Sequence, residues 1–115
     1  MMRGLMKVLT GLAMALGLVH LGLSALTSVR AWGLDTLWFA GSGLAILVAA
    51  LMNIIMIRAT QIDRVQSAVW LVANLALTGF FGLAWLVLKE PQVIVGGLVF
   101  ALLSAGIAGR SVARA

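Results

Sequence analysis

Polar residues in this chain fall into short clusters, and between them run four apolar stretches: Val8 to Leu26, Leu37 to Ile57, Ser67 to Leu88 and Val93 to Gly109. Each approaches the ~20 residues that carry a helix across a hydrocarbon core of about 30 Å. Inside that core only helices and closed barrels satisfy their own backbone groups. The pattern therefore predicts an all-α fold, an integral membrane four-helix up-down-up-down bundle with short loops, made of a single domain over residues 1–115. The joint from Thr27 to Thr36 is long enough to lie across a membrane surface, and Arg58 to Gln66 makes a polar link. Lys89 to Gln92 is a tight turn that sets the third and fourth helices antiparallel. Helices adjacent in sequence are expected to pack against one another.

Composition agrees with the pattern. Hydrophobic residues make up 63% of the chain and charged residues 10%, far from the balance of a soluble domain. The net charge of +5 would suggest nucleic acid in a soluble protein. Here the basic residues sit at the ends of spans, so they are read as topology signals, and no nucleic-acid partner is expected. Arg3 and Lys7 ahead of an apolar run also resemble the start of a signal peptide. The run is long enough to span, however, and its removal would unbalance the charge pattern, so it is read as the first helix. Cysteine is absent, which removes both disulfides and thiolate metal sites.

Lys and Arg are retained on the cytoplasmic side. Arg3, Lys7, Arg58, Arg64, Arg110 and Arg114 fall on one side of the alternating spans, against Arg30 and Lys89 on the other. Both termini are thus expected in the cytoplasm, with the protein in a bacterial inner membrane and its basic ends facing anionic lipids. Trp32, Trp38 and Trp85 then fall at the outer interface and Trp70 at the inner one. The three acids, Asp35, Asp63 and Glu90, each stand where a span begins. There a carboxylate accepts from free backbone amides at the positive end of the helix dipole. That reading leaves no acid within the bilayer to couple protons or hold a cation.

Small and polar residues mark expected packing faces. Thr10, Ala13, Gly17, His20 and Ser24 recur at alternating spacings of three and four, which is a single helical stripe. Gly41, Ala45, Ala49 and Asn53 repeat every four residues, as do Gly97, Ala101, Ala105 and Gly109; the third span has Asn74, Thr78 and Gly82. Lipid gives no hydrophobic reward for helix association, so close backbone approach along small residues is what drives it.

Candidate chemistry is sparse. His20 is the one histidine, roughly 9 Å from the outer end of its helix at 1.5 Å per residue. An intramembrane histidine is a candidate proton relay or ligand, but a neutral imidazole simply bonded to Ser24, Ser42 or a helix carbonyl is the favoured reading. Without a second donor it makes a poor metal site, so neither metal nor cofactor is expected. Asn53, Asn74 and Ser104 lie at comparable depth in the opposite half, where they are expected to form a second polar layer. No nucleophile has a positioned base and no glycine loop follows a strand, so no catalytic residues are assigned and enzymatic activity is not expected.

In length and span count the chain resembles the small multidrug resistance transporters. That family depends on a membrane-embedded glutamate in its first helix, where this chain has His20 and no carboxylate, so drug-proton exchange is not implied. Two functions are left. One is a non-catalytic accessory or structural subunit that packs against itself or another membrane protein. The other is a homo-oligomeric small-solute transporter or channel using the two polar layers.

The charge distribution generates a first prediction. Reporter fusions at the N- and C-terminus should both signal from the cytoplasm; an external signal from either would refute the assigned orientation.

Overall fold

The computed structural model describes the backbone of residues 2–27 and 33–114, and the side chains of residues 3–26, 33 and 36–110. It is all-α, with α1 (Met2–Thr27), α2 (Leu34–Arg58), α3 (Arg64–Leu88) and α4 (Pro91–Arg114) and no strand among the described residues. All four helices are long and apolar enough to cross a membrane. Arg30, Trp32 and the middle of the first joint lie outside the described residues, as do the side chains of Asp35 and Arg114.

Local chemistry sets the helix ends. At α3 the Asp63 carboxylate accepts from the Gln66 backbone N–H at 2.7 Å, and the Gln66 side chain accepts from the Asp63 N–H at 2.9 Å. This reciprocal capping box satisfies two otherwise orphaned donors. The residue preceding α2 is Gly33, which places Asp35 inside the first turn. The Glu90 carboxylate accepts from the Gln92 side-chain amide, while its backbone carbonyl accepts from Val93 N–H at 3.0 Å. Pro91 opens α4, where its missing N–H costs nothing. The reversal between α3 and α4 is completed by Lys89, in the left-handed region at φ 51°, with its Nζ 4.9 Å from the centre of the Trp85 ring.

Around the bundle the helices follow the order α2, α1, α4, α3. The most extensive contacts are α1 with α2 and α3 with α4; α1 also packs on α4, and α2 and α3 meet least. Two tight hairpins are thus joined along α1 and α4. Sequence neighbours do touch, but α2 with α3 is the weakest pairing.

The predicted stripe of α1 is the one observed: Thr10, Ala13, Gly17, His20 and Ser24 are all buried. The ladders of strict four-residue spacing are not followed. Gly41 and Ala45 are exposed, as are Ala105 and Gly109, while Gly97 and Ala101 are half-buried and Ala49 is buried. The reason is geometric. A step of four residues turns a helix position by about 40°, so three steps wind the ladder about 120° away from any neighbour it started against. Alternation of three and four holds its face, and α2 buries Gly43, Ile46, Ala50, Asn53 and Ile57 on that rhythm.

Gly17 and Gly43 mark where α1 and α2 cross. A Cβ placed on Gly43 would lie 2.7 Å from the His20 Cβ and 3.1 Å from the Leu21 backbone N; one on Gly17 would lie 2.9 Å from the Leu47 N. Between α3 and α4 the same close fit is made by a ring against a glycine. Phe81 lies over Gly96, where a Cβ would come within 2.4 Å of it, and stacks with Phe100 at a centroid distance of 5.9 Å.

Gly43→Leu should therefore destabilise the α1–α2 hairpin by about 1–3 kcal/mol, the usual range for overpacking. Gly41→Leu, whose Cβ would meet nothing within 4 Å, should be tolerated. Thermal unfolding in mild detergent distinguishes the two, and equal losses in Tm would place the crossing elsewhere.

Candidate functional site

The side chain of Asn53 leaves the buried face of α2 and meets Asn74 on α3; both are 0% exposed. Asn53 Nδ2 donates to Asn74 Oδ1 at 2.9 Å and to the Ala49 carbonyl at 2.8 Å. Asn74 Nδ2 donates to the Trp70 carbonyl at 2.9 Å and, more weakly, to Asn53 Oδ1 at 3.2 Å. Asn53 Oδ1 also accepts from the Trp70 indole Nε1–H at 2.6 Å. A side-chain amide offers two donors and two lone pairs, so all four positions of Asn53 are filled. Both Asn74 donors are used, and its oxygen accepts once. This closed network of two amides and an indole is the polar clasp between the two helices that otherwise meet least.

Trp70, expected near the inner end of its span, turns inward rather than outward: it is 1% exposed, and its N–H finds an acceptor inside the bundle. Its spacing four residues before Asn74 places both on one face, which is the sequence signal for its membership of the clasp. Trp38, by contrast, is 69% exposed.

The remaining polar candidates turn back onto their own helices. Ser24 Oγ donates to the His20 carbonyl at 2.7 Å, Ser42 to Trp38 at 2.9 Å, Thr78 to Asn74 at 2.8 Å and Ser104 to Phe100 at 2.8 Å. Ser42 therefore does not bond His20, and Ser104 does not join the asparagine layer. The Thr10 hydroxyl is buried with no hydrogen-bond partner.

His20 acts as a packing element at the α1–α2 crossing. Its Nδ1 lies 2.8 Å from the Leu16 carbonyl; a carbonyl only accepts, so Nδ1 is the donor. The ring stacks on Phe39 at a centroid distance of 4.6 Å, and its Cβ sits over Gly43. Ser24, the hydroxyl nearest to it in sequence, bonds the His20 backbone.

Among the described residues no group of three or more His, Cys, Asp or Glu is placed to hold a metal ion. Arg110, unassigned by the sequence reading beyond its charge, lies with its guanidinium 5.8 Å from the centre of the Trp70 ring, and its Nη2 donates to the Ala59 carbonyl at 3.4 Å. It links the end of α4 to the clasp and to the C-terminus of α2. Comparison with known proteins finds no matching family model, no matching curated protein and no matching solved structure.

Asn53→Ala and Asn74→Ala should each destabilise the bundle, and a double-mutant cycle should give a coupling of about 0.6–1.7 kcal/mol, from the average to the maximum for interhelical bonds in membranes. Trp70→Phe, which keeps the ring and removes the donor, should cost a similar amount. Unfolding in detergent reads all four variants; strict additivity of the two asparagine substitutions would show that the clasp does not act as a unit.

Proposed function

We propose that this protein is a non-catalytic membrane subunit that holds its place by packing against other transmembrane helices. The observation that carries the proposal is the closure of the asparagine clasp. A solute pathway needs polar groups that present free donors and acceptors to the traveller. Here the two amides most deeply placed in the spans direct every donor to Trp70, Ala49 or each other, which suits a strut better than a conduit.

Two further features support the reading. α3 places little of its surface inside the bundle, so most of one helix faces outward. The smooth surfaces of α2 at Gly41 and Ala45, and of α4 at Ala105 and Gly109, also face outward, where an incoming helix meets few side chains and its backbone approaches closely. Such surfaces suit a second copy of the chain or a different membrane protein.

Purification in mild detergent followed by mass analysis tests the proposal. The chain should travel with at least one further transmembrane chain, and Ala45→Cys or Ala105→Cys, in a sequence with no native cysteine, should crosslink to that neighbour in membranes. A self-contained homo-oligomer that moves a solute across liposomes, and loses that flux on Asn53→Ala without losing its fold, would establish the transporter reading instead.

A further inference from the structure

At the end of the bundle that carries both chain termini, arginines from three helices converge on one corner. Arg58 closes α2, Arg64 opens α3 and Arg110 lies near the end of α4. Arg110 fixes the corner: its contacts to the Ala59 carbonyl and the Trp70 ring lay the end of α4 against the joint between α2 and α3. Arg58 and Arg64 stand on either side of that five-residue joint, 59–63. Both are exposed, and neither has a hydrogen bond or ion pair among the described residues. The acid between them, Asp63, is engaged at the head of α3 through Gln66, so it is held in the cap rather than against either arginine. Immediately toward the membrane, Ile55, Val65 and Val69 are exposed.

We propose that this corner binds the phosphate of an anionic lipid headgroup, with the acyl chains lying along the outward faces of α2 and α3. Guanidinium groups match phosphate oxygens in a fixed fork. Three of them around one short joint make a concentrated positive field that the single capped carboxylate does not cancel. The same chemistry would attract free phosphate. What selects the lipid is the adjacency of the arginines to exposed apolar surface, which rewards a ligand with one charged and one hydrocarbon part. The site stands whether or not the bundle joins a larger complex.

The test uses the full chain in mild detergent and native mass spectrometry, with phosphatidylglycerol, phosphatidylcholine or inorganic phosphate added in turn. Phosphatidylglycerol should be retained over phosphatidylcholine, and inorganic phosphate should neither bind detectably nor displace it. Arg58→Gln and Arg64→Gln should each weaken retention about fivefold, the factor equivalent to ~1 kcal/mol for one basic residue at a lipid surface. Lys7→Gln, at the same end but on α1, should leave retention unchanged. Melting curves without lipid should match the parent for all three variants, since these side chains are exposed. Equal retention of the two lipids overturns the proposal. So does displacement by inorganic phosphate, which would mark a free-anion site, and so does an equal loss on Lys7→Gln, which would mark diffuse charge rather than a corner.

Discussion

In hydrocarbon an amide or hydroxyl without a partner costs several kcal/mol, because no water is at hand to replace the bond. That constraint accounts for most of the buried polar side chains here, the unpartnered Thr10 hydroxyl excepted. It makes the spans helical, and it returns Ser24, Ser42, Thr78 and Ser104 to carbonyls four residues back on their own helices. Asn53 and Asn74 also begin with such a bond, but an amide has more donors and acceptors than one carbonyl satisfies. The remainder has to be met across the interface. The clasp follows from that surplus, and it is why the two helices with the least packing between them are tied by the bundle's described interhelical side-chain hydrogen bonds.

Elsewhere association depends on shape. Gly17 against Leu47 and Gly43 against His20 bring two backbones to a distance that any side chain would prevent, and Phe81 over Gly96 fits a ring into the same kind of gap. Both arrangements replace lipid contacts with denser protein contacts, the source of helix affinity when the surroundings are as apolar as the side chains. The result is two close-packed hairpins and one polar tie, different solutions to the same solvent.

The four spans, the all-α class and the α1 packing stripe were legible in the sequence because they depend on run length and helical period, which are local. Asn53 and Asn74 were legible as a layer from their depth alone. Less visible was anything that depended on rotation about a helix axis relative to a neighbour. The Gly41 and Gly97 ladders look like interfaces when small residues are counted, yet their spacing winds them away, and Gly43, two residues from the chosen start, makes the crossing. Ser42 was offered as a partner for His20, which ignores that a serine in hydrocarbon has a ready acceptor at the Trp38 carbonyl of its own helix. Trp70 was placed near the inner end of its span by position, but that its ring turns inward depends on an acceptor supplied by a different helix.

Trp70 also joins parts of the molecule that the sequence keeps separate. The edge of its indole donates to Asn53 at 2.6 Å while its face carries the Arg110 guanidinium at 5.8 Å. The first contact lies within the polar tie; the second reaches the basic corner where α2 and α4 end. A cation over an indole is worth about 0.5–1 kcal/mol at exposed sites and more when desolvated, comparable with one interhelical hydrogen bond. The ring is therefore held from both sides by interactions of similar strength. In a bundle whose α2 and α3 have little else between them, this single side chain joins the polar tie to the end of α4.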